Sequence, residues 1–157
     1  MSIVKKKNIG RVIDLCAVLF ICILDRFTKQ WAQAHRADIF PLIKNVLRFR
    51  YVENTGIAFS ALGNMQVLNC ILSAILLIIA VFAYFRTENR GRWIRTGLVM
   101  MVSGGAGNLY DRLTAGFVTD FIEPVFVRFA VFNVADVFVV CGAVCLLIGV
   151  MKAGDLK

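Results

Sequence analysis

The sequence predicts an α-helical integral membrane protein with four transmembrane helices and a small extramembrane β segment on the outer face. Three observations carry this. The 157 residues are 59% hydrophobic, with a mean hydropathy of +0.76, more than a soluble domain of this size can hide. Long apolar runs recur at a length that crosses a bilayer, about 20 residues each. Lys and Arg outnumber Asp and Glu by 18 to 10, and many of them cluster in short stretches between those runs.

The first span is expected over roughly 11–34. Lys5, Lys6, Lys7 and Arg11 precede an apolar stretch holding only Asp14. A basic start and a short apolar core resemble a signal peptide. No small-x-small cleavage site follows, and Phe27, Trp31 and Ala34 keep helical spacing, so a retained helix is predicted. Residues 35–66 change character. Pro41 excludes a helix, and Leu47, Phe49 and Tyr51 alternate with Arg48, Arg50 and Val52 in a two-residue period. Asn54-Thr55-Gly56 and Gly63-Asn64 are turn signals. A β-hairpin or curved sheet on the bilayer surface fits, because an open sheet edge within lipid would leave backbone groups unpaired.

The run 67–85 is free of charge and is the clearest span. A basic loop, 86–92, follows. The third span is expected over 94–111, interrupted by the small-residue patch Ser103-Gly104-Gly105-Ala106-Gly107. That patch does not follow a strand and lacks a third spaced glycine, so it reads as a close-packing surface rather than a nucleotide site. Residues 111–128 read as a polar connection containing Pro124. The fourth span is expected over 130–151, with Asp136 its one charge. No repeat, linker or low-complexity segment divides the chain, so 1–157 is predicted to be a single membrane-embedded domain.

Orientation follows from the basic residues. With four spans, the N-terminus, the 86–95 loop and the tail with Lys152 and Lys157 share a side. The positive-inside rule puts both termini in the cytoplasm. The acids agree: Asp25, Asp38, Glu53, Asp111, Asp120, Glu123 and Asp136 fall at the outer side, and Asp14 on the inner half of the first helix. The basic charge suits an anionic leaflet. No pattern of a nucleic-acid-binding fold accompanies it, so no nucleic-acid partner is expected. Cys16, Cys22, Cys70, Cys141 and Cys145 lie in apolar stretches with one His in the chain. They read as packing residues, and neither metal nor cofactor is expected.

The candidate chemistry collects at that outer face. Asp25 and Lys29 are one helical turn apart and can pair. Asn108, Asp111 and Arg112 share the end of the third span, and Asp111 with Arg112 reads as an interfacial pair. Asn133 and Asp136 share a face at the start of the fourth. Asp120 and Asp136 have no basic residue within four positions. Two carboxylates held together in a low-dielectric site share a proton, the device of aspartic peptidases. On the residues alone, a catalytic pair, structural polar contacts and a proton or ion relay all remain open.

Five blocks then carry a family resemblance: Asp25-x-x-x-Lys29, Asn54-Thr55-Gly56-Ile57-Ala58-Phe59-Ser60, the run 104–112, Gly116-Phe117-Val118-Thr119-Asp120-Phe121, and Phe132-Asn133-Val134-Ala135-Asp136. In order and spacing they resemble the signature blocks of the lipoprotein signal peptidase (signal peptidase II) family. The resemblance implies an aspartic endopeptidase of the bacterial inner membrane, acting on diacylglyceryl-modified prolipoproteins and cutting before the lipidated cysteine. It implies a catalytic dyad at Asp120 and Asp136, with Asn54, Asn108, Asn133, Arg112, Asp25 and Lys29 around it. It also implies contact with membrane lipids, inhibition by globomycin-type peptides and an extramembrane β-cradle near 40–60. Val137 stands where many members have Ser, and Val131 where Pro-Ala often precedes the Phe-Asn. Within this reading, Arg112 tethers Asp111 and Lys29 tethers Asp25, while Phe59, Trp31 and Phe117 are candidate walls. A serine–lysine peptidase using Ser60 or Ser103 is the rival enzyme.

Overall fold

The computed structural model describes residues 3–56, 65–87 and 91–154. The Gly63-Asn64 turn, Phe59, Ser60, the middle of the 86–92 loop and Lys157 lie outside the described residues. Four helices and three strands follow in the order α1 (Ile3–Ala34), β1 (Ile39–Ile43), β2 (Leu47–Asn54), α2 (Met65–Thr87), α3 (Arg92–Thr114), β3 (Val118–Pro124) and α4 (Val134–Gly154). Helix α3 is the centre of the bundle, with α1, α2 and α4 packed around it.

Each expected span is a helix, with shifted ends. Helix α1 begins at Ile3, ahead of the expected 11, and its 32 residues extend about 48 Å. Charged residues continue a helix as readily as apolar ones, so the helix extends beyond the apolar span. Helix α3 likewise runs past 111 to Thr114. Helix α4 starts at 134 instead of 130, because Phe132 bonds to Ile122 in an isolated bridge and holds the preceding residues extended. Among the described residues, two helices are long and apolar enough to cross a membrane: Gln66–Thr87 and Val134–Ala153. The other two carry the charges of the polar cluster described below.

The main correction concerns 111–128. It contains a strand, not only a polar connection. The sheet order is β1-β2-β3, both pairs antiparallel. Val118, Thr119, Phe121 and Ile122 favour strand, and Gly116 and Pro124 bound them. The acids Asp120 and Glu123 had disguised the pattern. Gly116 turns the chain from α3 into β3 at φ 82, a conformation that favours glycine. Pro41 sits on the edge strand β1, where its missing N–H is tolerated. Asn45 takes the left-handed conformation, φ 62, in the β1–β2 turn.

The sheet rests on the end of α1. Phe49, Phe121 and Ala32 form its buried centre, with Phe40 and Tyr51 against them. Trp31 meets Phe49 edge-on with ring centroids 5.2 Å apart. Trp31 is therefore a packing wall of the sheet.

The bundle is inverted relative to a soluble protein. Its largest fully buried side chains include Lys29, Asn133, Asp120 and Ser103, while Phe20 (65% exposed), Ile23 (67%), Ile78 (67%) and Val140 (62%) face outward. Such a surface is stable in lipid, not in water. Together with the apolar helices it makes this a membrane protein. At the other end of the bundle, Asp14 accepts bonds from Arg95 (2.6 Å) and from the Tyr84 hydroxyl, joining α1, α2 and α3.

The small-residue patch packs helices as expected. A Cβ on Gly104 would lie 2.3 Å from the carbonyl oxygen of Ala135, and one on Gly97 would lie 2.6 Å from that of Gly142. Helices α3 and α4 thus touch backbone to backbone. A Cβ on Gly105 would meet only Leu77, at 3.6 Å. Gly104→Val is expected to lower stability by about 3 kcal/mol, because backbone must give way. Gly105→Ala should be neutral or stabilise by up to about 1 kcal/mol through helix propensity. Unfolding midpoints in detergent check both; equal effects at the two positions would contradict this packing.

Candidate active site

The site is built where the ends of α1, α3 and α4 meet the sheet. Its foundation is Lys29, 2% exposed. Its ammonium lies 2.9 Å from Asp25 Oδ2 and 3.0 Å from Asp111 Oδ2, and donates to Asn108 Oδ1 at 2.9 Å. An ammonium has three donors, and these three acceptors take all of them. Asp25 also accepts the Ala135 N–H at 3.0 Å, so a carboxylate of α1 sits at the positive end of α4. Asp111 also accepts the Thr119 N–H at 3.3 Å and pairs with Arg26 at 3.5 Å.

Above this cluster stand two carboxyl groups. Asp120 lies on β3 and is 1% exposed. Asp136 lies in the first turn of α4 and is half-buried. Asn133 caps that helix. Its Oδ1 accepts the Asp136 N–H at 2.9 Å, and Asp136 Oδ2 accepts the Asn133 N–H at 3.1 Å. This reciprocal pair is a capping box, with aspartate at the third helical position.

Three asparagine amides point their NH2 groups at the two carboxyls. Asn54 Nδ2 donates to Asp120 Oδ2 at 2.8 Å, Asn133 Nδ2 to Asp120 Oδ1 at 2.7 Å, and Asn108 Nδ2 to Asp136 Oδ1 at 2.7 Å. Each orientation is set from behind. The oxygen of Asn54 accepts the Gly56 N–H, that of Asn133 the Asp136 N–H, and that of Asn108 the Lys29 ammonium. A flipped amide would face donor to donor. Asn133 Nδ2 also reaches Asn108 Oδ1 at 3.2 Å, tying the two halves together.

Burial pushes the Asp120 carboxyl up to about 6. The Asn54 and Asn133 amides oppose that rise, the negative Asp136 adds to it, and the Lys29 charge opposes it. Asp120 is thus suited to hold a proton. Asp136 and Asn54 also line an apolar cavity of about 530 Å³, together with Phe129, Val131, Phe132, Val137 and Val140. The arrangement sets two carboxyls, linked through Asn133, beside an apolar groove, a setting suited to general acid–base hydrolysis.

Of the eight expected site residues, Asp120, Asp136, Asn54, Asn108, Asn133, Asp25 and Lys29 form one connected network. Arg112 stands apart: it donates to the Asn108 carbonyl oxygen at 3.2 Å, not to Asp111. Adjacent residues on a helix point about 100° apart, so the expected Asp111–Arg112 pair does not form. Asp111 turns inward to Lys29 and Arg26 instead. Sequence reading missed both partners. Arg26 carries no spacing signal toward Asp111; the local signal is that Arg26 and Lys29, two cations, stand beside one acid, Asp25. Ser103, the described candidate of the serine–lysine rival, is buried with its hydroxyl bonded to the Val99 carbonyl at 2.7 Å.

Fold and site together define a membrane-embedded enzyme with its chemistry at one end of a helix bundle. Two solved structures described as bacterial membrane enzymes share the fold. One has a TM-score of 0.81 and 26% identity, with 92% of this chain and 91% of that one covered. The other has a TM-score of 0.83 and 25% identity, covering 89% and 93%. The lipoprotein signal peptidase of Streptococcus agalactiae serotype Ia is 34% identical over 143 residues, covering 90% of this chain and 92% of the relative. That of Streptococcus pneumoniae R6 is 33% identical over 150 residues, covering 94% and 95%. That of Clostridium novyi is 34% identical over 146 residues, covering 90% and 99%. Residues 17–152 match the family described as signal peptidase (SPase) II. The chain belongs to the signal peptidase II family and is a protease.

Removing Lys29 leaves Asp25 and Asp111 buried with too few partners. Lys29→Met is expected to cost about 3–5 kcal/mol, read from unfolding in detergent micelles. A loss below about 1 kcal/mol would mean the cluster is not the foundation of the site.

Proposed function

We propose that the chain removes signal peptides from prolipoproteins as an aspartic endopeptidase, with Asp120 and Asp136 as its catalytic pair. The observation that carries this is the pair itself: two carboxyls joined through Asn133, one buried and one lining an apolar groove. Asp136 takes a proton from water, which attacks the scissile carbonyl carbon. Asp120 gives its proton to the carbonyl oxygen. As the C–N bond breaks, protonated Asp136 gives its proton to the leaving amine, and Asp120 recovers its own from the collapsing intermediate. Burial raises Asp120 to about 6, so it carries its proton in a share of molecules near neutral pH, and a substrate that expels water from the groove raises that share.

The remaining expectations join this reading. All four helices span the bacterial cell membrane, with α1 and α3 bringing the Lys29 cluster to its outer side. Both termini are cytoplasmic. The substrate is a precursor whose cysteine carries diacylglycerol, and anchoring its acyl chains in the bilayer brings the scissile bond to the depth of the pair. The apolar groove beside Asp136 suits such a lipid-bearing residue. Asn54 contacts the peptide, Asn108 and Asn133 orient the carboxyls, and Arg112 supports Asn108 through its carbonyl oxygen. Globomycin-type peptides compete for the same groove.

A serine–lysine mechanism needs a lysine able to accept a proton. Lys29, engaged by two carboxylates and an amide oxygen, supports no such role. Cleavage of a diacylglyceryl-modified prolipoprotein, followed by gel mobility, separates the readings. Asp120→Asn and Asp136→Asn are each expected to lower the rate by at least about 10²–10⁴-fold, and Ser103→Ala to leave it unchanged. Cleavage surviving either aspartate substitution would sink the pair; loss of cleavage in the serine variant would favour the rival.

A further inference from the structure

The far end of the sheet carries an apolar tip with a basic rim. The end of β1 and the turn after it expose Leu42, Ile43 and Val46, and the segment after β3 exposes Val125, Phe126 and Val127. The Val125 N–H donates to the Val46 carbonyl oxygen at 3.0 Å, so the two loops form one tip. Phe126, 71% exposed, is the most exposed large hydrophobic residue among those described. An apolar tip of this kind is unfavourable in water and marks a contact surface.

The rim is cationic. Lys44 and Arg128 are exposed. Arg48 and Arg50 share the single carboxylate of Glu123, Arg50 at 2.9 Å. Those two arginines hold Glu123 below the usual carboxylate range, so it stays ionised. Four basic residues against one acid leave a local charge of +3 (4 − 1). Arg48, Glu123, Val127, Arg128 and Phe129 line a hollow of about 390 Å³. Phe129 also lines the apolar groove with Val137 and Val140. The surface of the tip therefore runs without a break into the outward apolar wall of α4.

We propose that this tip docks on anionic phospholipid of the leaflet nearest the sheet. Phe126 and Val127 enter the acyl boundary, and Arg128, Lys44 and Arg48 take the lipid phosphates. Positive charge at the rim matches the phosphate, and the continuous apolar wall matches the chains beneath it. The tip begins at Val125, just past the end of β3 and five residues along the chain from Asp120, or about 17 Å. Two separated contacts with one leaflet would fix the tilt of the sheet and with it the depth of Asp120. The inference rests on the outer-face placement proposed above and is independent of the peptidase chemistry.

The test uses the full-length protein in nanodiscs and needs no cleavage. Phe126→Trp reports on the tip, after subtraction of the Trp31 and Trp93 signal measured in the parent. Its emission is expected to be blue-shifted and quenched by lipid brominated in the upper chain. Quenching should rise with the fraction of phosphatidylglycerol over phosphatidylcholine. Adding Lys44→Gln and Arg128→Gln should weaken that dependence strongly, since each basic residue near an anionic surface changes partition by about fivefold. Val127→Trp gives the same readout should the first reporter misfold. Emission of a water-exposed indole, quenching indifferent to phosphatidylglycerol, or protection seen only with an added signal peptide would each overturn the proposal. The last result would make the tip a peptide-docking face. Because the readout is lipid contact, a failure here leaves the cleavage test of the aspartate pair standing.

Discussion

Everything at the working end of this molecule depends on one buried ammonium. Lys29 gathers Asp25, Asp111 and Asn108 around itself, and through them joins α1 to α3 and to the first turn of α4. A charge held this far from water is tolerable only when its partners are complete. They are complete here because a glycine, Gly107, leaves room for Asp25, whose Oδ2 would lie 2.6 Å from a Cβ at that position. The small residues of α3 thus serve two ends: they let α4 approach, and they let the charged cluster close.

From that ammonium a chain of fixed orientations runs to the carboxyl pair. Lys29 claims the oxygen of Asn108, so its NH2 turns to Asp136. The capping box of α4 claims the oxygen of Asn133, so its NH2 turns to Asp120. The turn after β2 does the same for Asn54. In the proposed mechanism, donors set in advance cost no reorganisation when charge develops on the carboxyls. The site is preorganised by what stands behind it as much as by what faces the groove.

Much of this was legible in the chain, and the reasons differ by residue. Asp25 and Lys29, or Asn133 and Asp136, are local pairs whose helical spacing announces a contact. The charge-free 67–85 run announces a helix by hydropathy alone. Strand β3 was obscured because its acids mimic loop polarity, although Val118, Thr119, Phe121 and Ile122 were the stronger signal. The Asp111–Arg112 pairing failed because sequence adjacency is not adjacency on a helix. The partners of Asp111 come from α1, and no local pattern encodes a contact across the bundle. The family resemblance separated Asp120 and Asp136 from the other acids; composition and spacing left them among three readings.

The proposed mechanism rests on Asp120 keeping its proton to higher pH than an exposed aspartate does. Infrared difference spectroscopy of the wild type against Asp120→Asn, across a pH series in lipid, measures it directly. A carboxylic acid band present at low pH, absent from the variant and lost as pH rises through about 6 is the predicted result. The sign follows from burial, which raises the carboxyl and keeps it protonated to higher pH than an exposed aspartate. A band already lost at about pH 4, as for an aspartate in water, would contradict the account.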